Sequence, residues 1–157
     1  GRWSYLLLAD ELRRRSNRPN ADLLELFRRM CFNALISNSD DHPRNHAMLA
    51  LDSEFVLSPC YDVTPNPQVS LERRDLALTI GRWNRYANRQ NLLSGHAQFL
   101  LGLEEATAIV DKIRETVRER WYPVLKQNGV SDADIERIRG AFDYPGFLLD
   151  PRILAQG

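Results

Sequence analysis

The sequence predicts a mainly α-helical domain carrying one small β-hairpin, on three observations. Apolar residues recur at spacings of three and four in two long stretches, 23–35 and 106–125, the mark of helices with one buried face. Two short apolar runs, Ala47 to Leu51 and Glu54 to Leu57, are separated only by Asp52-Ser53, the pattern of a tight hairpin. Between helix and hairpin stands a polar cluster, Asn38-Ser39-Asp40-Asp41-His42-Pro43-Arg44-Asn45, whose turn formers continue neither.

Taken in order, residues 4 to 16 read as a first helix. Arg13, Arg14 and Arg15 fall in its last turn, where positive charge suits the helix dipole, and Pro19 stops it. A second helix is expected from Asn20 as N-cap, with Asp22 in its first turn. Its buried face carries Leu23, Leu26, Phe27, Met30, Cys31, Ala34 and Leu35, and it ends at Ser37-Asn38. The hairpin follows. Residues 63 to 90, with early prolines and many polar side chains, read as mostly loop around an apolar patch at Leu76 to Ile80. Asn91 to Leu101 is expected as one helix. A long amphipathic helix then runs to Asn128-Gly129 as C-cap, and Ser131 opens a last helix to about Phe142.

The chain's 157 residues suffice for one domain with a real core, over 1–157, and are too few for two comfortable ones. A hydrophobic share of 43% against 27% charged excludes a disordered chain. The formal charge is zero, so nothing pulls the chain toward nucleic acid or a membrane surface, and no direct nucleic-acid contact is expected. Cys31 and Cys60 are the only cysteines and lack metal-ligand spacing; two reduced thiols in a cytoplasmic protein are expected. No apolar run approaches the ~18 residues of a membrane span, and no signal peptide is evident.

The polar cluster carries the chemistry. Asp40 is followed five residues on by Asn45, and seventeen residues later by Asp62 in Ser58-Pro59-Cys60-Tyr61-Asp62. Protein kinases use such a set: an Asp that accepts the substrate hydroxyl's proton, an Asn, and a second Asp that hold Mg²⁺. Asn45 and Asp62 are hard oxygen ligands suited to that ion, and Arg44 could neutralise phosphate charge. His42 reads as packing and hydrogen-bonding behind the loop. The hairpin matters here, because it returns the chain and lets residues 40–45 meet residue 62. The spacing alone arises easily in a solvated turn, which is the plainer reading of Asp40, Asp41 and Asn45. A metal-hydrolase reading of Asp41-His42 finds no convincing partners, since His46 is only four residues on and His96 is remote.

The run Phe32-Asn33-Ala34-Leu35-Ile36-Ser37-Asn38-Ser39-Asp40-Asp41-His42-Pro43-Arg44-Asn45-His46, with Leu57-Ser58-Pro59-Cys60-Tyr61-Asp62-Val63 and Leu76-Ala77-Leu78-Thr79-Ile80-Gly81, closely resembles the HipA family of bacterial serine/threonine kinases, toxins of toxin–antitoxin pairs. The resemblance implies the C-terminal lobe of a protein-kinase-like fold, mainly α, with the hairpin at the catalytic loop. It makes Asp40 the catalytic residue and Asn45 and Asp62 the Mg²⁺ ligands. It places ATP against His42, Pro43, Arg44, Asn45, Tyr61 and Asp62. Arg44 stands where some members carry Lys. The implied partners are a protein substrate, of which glutamyl-tRNA synthetase is the known kind, and a cognate DNA-binding antitoxin.

The eight glycines, at 1, 81, 95, 102, 129, 140, 146 and 157, form no G-x-G phosphate loop, and the first Lys is Lys112. A kinase N-lobe is therefore expected to be absent from this chain, as a piece of a longer protein or a shortened gene product. Weak nucleotide binding and self-association through the uncovered docking face follow. Three hypotheses result: a kinase lobe active with its N-lobe, a catalytically inactive fragment that binds an antitoxin or protein target, and a helical scaffold whose polar loop does nothing.

Overall fold

The computed structural model describes residues 3–67 and 70–154, and its elements are mainly helical. Helix α1 (Tyr5–Arg15) starts at Ser4, whose Oγ accepts the Leu7 N–H at 3.0 Å. Helix α2 (Pro19–Leu35) begins one residue before Asn20, with Arg18 at the cap position and no side-chain cap bond. Pro19 fits as first helical residue because its missing N–H is one that a helix start leaves unbonded anyway. Asp22 is buried and does more than charge the first turn. It accepts from Ser16 Oγ at 2.7 Å, Arg18 Nε at 3.0 Å and the Leu57 N–H at 2.8 Å, tying the α1–α2 corner to the hairpin.

That hairpin is β1 (Met48–Leu51) and β2 (Glu54–Leu57), antiparallel with Leu51 opposite Glu54. Asp52 and Ser53 both take positive φ, 47° and 74°, the two-residue turn whose twist matches that of the strands.

Helix α2 carries the centre of the core: Leu23, Leu26, Phe27, Met30 and Ala34 are fully buried. Residues 76–80 are neither helix nor free loop. Leu76, Leu78 and Ile80 are buried, and the Tyr5 N–H bonds to Thr79 O at 2.9 Å. Gly81 closes this segment against the next helix, where a Cβ would run into the Asn91 carbonyl oxygen.

The single helix expected over 91–101 is instead two pieces, α3 (Arg89–Ser94) and a 3₁₀ turn at His96–Phe99. Asn88 moves the start earlier, its side chain accepting the Gln90 and Asn91 N–H groups. Ser94 Oγ then donates to Asn91 O at 2.7 Å, competing with the helix pattern. Gly95 is hemmed in by Leu6 and the Ile80 carbonyl, so the break is imposed by remote packing. Helix α4 (Leu103–Gln127) runs through Pro123, in its last turns. Gly129 follows at φ 76°, the left-handed conformation that ends a helix at low cost. Helix α5 (Asp132–Phe142) is capped by Ser131. Beyond the expected elements come a 3₁₀ turn at Pro145–Leu148 and α6 (Pro151–Leu154). Among the described residues no helix is long and apolar enough to cross a membrane.

Candidate functional site

The polar loop leaves α2 through Ser37, whose φ of 59° reverses the chain. Arg74 fixes that reversal from 37 residues downstream: its Nη1 donates to Ser37 Oγ at 2.6 Å, and Ser37 Oγ donates to Ala141 O at 2.7 Å. Asn66 braces the next step, its Nδ2 bonding to Ser39 Oγ at 2.9 Å. Pro43–Asn45 then form a 3₁₀ turn that leads into β1.

Adjacent carboxylates part company in this loop. Asp40 is exposed, whereas Asp41 is only 2% exposed. The solvated-turn reading therefore fails for Asp41, and also for Asn45 at 6%. Asp41 accepts a hydrogen bond from the Tyr5 hydroxyl, and its Oδ1 lies 3.1 Å from His46 Nε2 without meeting hydrogen-bond geometry. Asn33 Nδ2 donates to Tyr5 Oη at 3.0 Å, and Asn38 Nδ2 to Asn33 Oδ1 at 3.2 Å. A chain of polar groups thus runs from α1 through α2 into the loop. Asp41 holds the loop up from beneath, and with both oxygens engaged it is not set out as a metal ligand. Among the described residues no group of three or more His, Cys, Asp and Glu could hold a metal ion.

Burial first, and the Asp41 carboxylate second, push the Tyr5 hydroxyl well above the usual phenol range. Burial raises Tyr144 strongly and Tyr86 in the same direction. For a group raised on folding, the stabilisation is complete below the ordinary phenol value near 10 and is lost as pH rises toward the folded value. Stability should therefore fall steeply above pH ~10, with Tyr5 and Tyr144 ionising only as the fold opens. Tyrosinate absorbance and helical circular dichroism followed together test this. Complete ionisation with the helical signal intact would contradict it.

The hairpin joins the two motif segments at its open end. The Ser58 N–H bonds to Ala47 O at 2.9 Å, and the Tyr61 hydroxyl donates to Arg44 O at 2.6 Å. Asn45 Nδ2 makes a long 3.4 Å bond to Asp40 O, which turns its Oδ1 away from that contact. Asp40, Arg44, Tyr61 and Asp62 are exposed, His42 and Pro43 are half-buried, and Asp62 holds φ at 55°. The hydrogen bond expected of His42 is not made at its buried Nδ1, which has no partner among the described residues.

A cavity of about 490 Å³ opens between α2, α4 and this loop. Asn45 and Tyr61 line it together with Asp41, His46 and Cys60; Asp40, His42, Pro43, Arg44 and Asp62 do not. The structure thus brings Asn45 and Tyr61 onto one wall and leaves the two exposed carboxylates outside. Sequence reasoning missed Tyr5, Asn33 and Arg74, which shape the loop, and Arg29, which stands in the cavity wall. Only Asn33 left a local signal, a polar residue three positions after Met30 on a helix face that is otherwise buried.

The sequence pattern of the HipA-like C-terminal domain family matches residues 1–121. The chain belongs to this family. The match ends within α4, leaving α5 and α6 beyond it. No curated protein sequence matches the chain significantly.

Proposed function

We propose that this chain is the phosphotransfer lobe of a HipA-like serine/threonine protein kinase, the toxin of a toxin–antitoxin pair. The supporting observation is the Asp40-to-Asn45 segment linked to Tyr61-Asp62 through the Tyr61–Arg44 bond, inside a HipA-like C-terminal domain. In this reading Asp40, exposed and free of any ion pair among the described residues, takes the proton of a Ser or Thr hydroxyl as that oxygen attacks the γ-phosphorus of ATP and ADP leaves. Asn45 Oδ1 and an Asp62 carboxylate oxygen are the hard donors that fit Mg²⁺. Mg²⁺, when bound, supplies neutralisation of phosphate charge. Arg44 is exposed with its guanidinium unpaired among the described residues, ready to meet a phosphate. His42, Pro43 and Tyr61 border the nucleotide. The partners are a protein substrate and a cognate DNA-binding antitoxin, and self-association runs through the face that an N-lobe would cover.

The test uses the full-length gene product. Phosphate transfer from γ-labelled ATP to protein is compared between wild type, Asp62→Ala and Asn45→Ala across a Mg²⁺ titration. Both variants are expected to need far more Mg²⁺ or to transfer nothing, while melting normally. Equal transfer at equal Mg²⁺ in all three would end the kinase reading and leave the chain as a binding module.

A further inference from the structure

We propose that the open edge of β1 docks a second copy of this chain, antiparallel, so that the two hairpins form one four-stranded sheet. The proposal deepens the self-association proposed above by naming its surface, and it rests on that part of the reading rather than on phosphotransfer.

The two edges of the hairpin differ. Leu51 lies opposite Glu54 across the turn, and the Ser58 N–H bonds to Ala47 O at 2.9 Å. Backbone groups alternate along an antiparallel strand, so residues 47, 49 and 51 bond to β2, while Met48 and Ala50 turn their N–H and C=O outward. On β2 the outward groups are occupied. The Phe55 N–H donates to Asn17 Oδ1 at 2.7 Å, Phe55 O accepts the Asn17 N–H at 2.9 Å, and the Leu57 N–H is held by Asp22. On β1 the outward groups of Met48 and Ala50 have no partner among the described residues.

Such an edge is ordinarily guarded by a charge, a proline or a bulge. Ala47-Met48-Leu49-Ala50-Leu51 contains no charge and no proline, and its register with β2 is unbroken. Leu49, Leu51 and Phe55 are 40%, 55% and 50% exposed, which leaves apolar surface on both faces of the ribbon.

A second copy satisfies this edge in one register. Met48 then faces Ala50 of the second copy, and Ala50 faces its Met48, so that every outward N–H and C=O of both residues is bonded. Leu49 meets Leu49 of the second copy in the closer, non-hydrogen-bonded pairing, where side chains touch, and Leu51 meets its Ala47. The turn of each copy reaches the loop end of the other. Asp52 and Glu54, exposed and in no ion pair among the described residues, thereby come beside Arg44 of the second copy, whose guanidinium is likewise unpaired. A parallel arrangement would instead set the two acidic turns side by side.

The chain is followed by analytical ultracentrifugation and amide hydrogen exchange as its concentration is raised. A weak dimer is expected, with Kd on the order of 10–100 µM, as a small interface gives. The Met48 and Ala50 amides should gain protection with concentration, while those of Leu49 and Leu51, already bonded within the hairpin, should change little. Leu49→Lys sets like charges against each other and should weaken the dimer at least about tenfold without lowering the melting temperature. Ala50→Pro removes an outward donor and should weaken it as much. With the exposed Cys60 thiol removed by Cys60→Ser, Leu49→Cys should give a disulfide-linked dimer on mild oxidation, because the close pairing meets disulfide spacing. Leu51→Cys should not, being roughly 14 Å from its counterpart. A chain that stays monomeric, or a dimer that Leu49→Lys and Ala50→Pro leave intact, would overturn the proposal, the second by moving self-association to another surface. Cross-linking through Leu51→Cys in preference to Leu49→Cys would overturn it too. None of these readouts involves nucleotide, so loss of the phosphotransfer reading would leave the dimer standing.

Discussion

Asp40→Ala and Asp41→Ala, one peptide bond apart, are expected to fail in opposite ways. Asp40 is exposed and its side chain makes no bond among the described residues. Truncating it removes no fold contact, so stability should change by no more than about 0.5 kcal/mol. In the kinase reading it removes the proton acceptor, and phosphate transfer by the full-length product should drop by roughly 10²–10⁴-fold. Asp41 is buried beneath the loop with Tyr5 and His46 upon it. Its removal leaves the Tyr5 hydroxyl proton without an acceptor and opens a small void, at about 2–4 kcal/mol together. Any activity lost in Asp41→Ala should therefore recover on cooling or ligand stabilisation, while that of Asp40→Ala should not. Urea denaturation of both variants beside transfer rates separates the cases. If Asp40→Ala melted early and Asp41→Ala did not, the assignment of inward and outward carboxylates would be reversed.

That contrast marks where the sequence was legible and where it was not. Periodicity over 23–35 exposed α2 because its buried face is a local property, and Asp52-Ser53 exposed the hairpin because its turn needs residues that tolerate positive φ. The motif placed candidate chemistry on the loop without reference to the fold. Which of Asp40 and Asp41 turns inward has no local signature. Tyr5, 36 residues away, decides it by presenting a hydroxyl that only one of them reaches. The break at Gly95 was hidden for the same reason, since Leu6 and Ile80 impose it. Asp22 was read as a helix-start charge, which it is by position, yet Leu57 and Ser16 make it a clamp between elements. Local rules name elements; the contacts that aim a side chain come from elsewhere in the chain.

The largest loss of stability is expected from a residue that carries no motif at all. Arg74 is 4% exposed and spends its guanidinium on five oxygens: Ser70 O at 2.6 Å, Ser37 Oγ at 2.6 Å, Ala141 O at 3.2 Å, Gly140 O at 2.9 Å and Asp143 O at 2.8 Å. Three of these are carbonyls at the end of α5, where unpaired oxygens and the helix dipole both favour a cation. The guanidinium also lies over the Tyr144 ring, 4.2 Å from its centroid. Burial lowers the guanidinium's pKa, but arginine stays charged in proteins, so the cation must be held by these oxygens. Each bond from a charged donor contributes about 1.5–3 kcal/mol in isolation, but five on one side chain do not add. Arg74→Ala should cost about 3–5 kcal/mol, a large part of a typical domain's ~5–15 kcal/mol. Arg74→Lys keeps the charge but not the planar fork and should recover only a fraction. Because Ser37 is one of the five, the loss should reach the polar loop. Hydrogen exchange of residues 37–45 should quicken in Arg74→Lys even where global unfolding does not limit it, and in the kinase reading phosphate transfer should fall with it. Unchanged exchange in that segment, with stability lowered, would reduce Arg74 to a cap on α5 and detach it from the site.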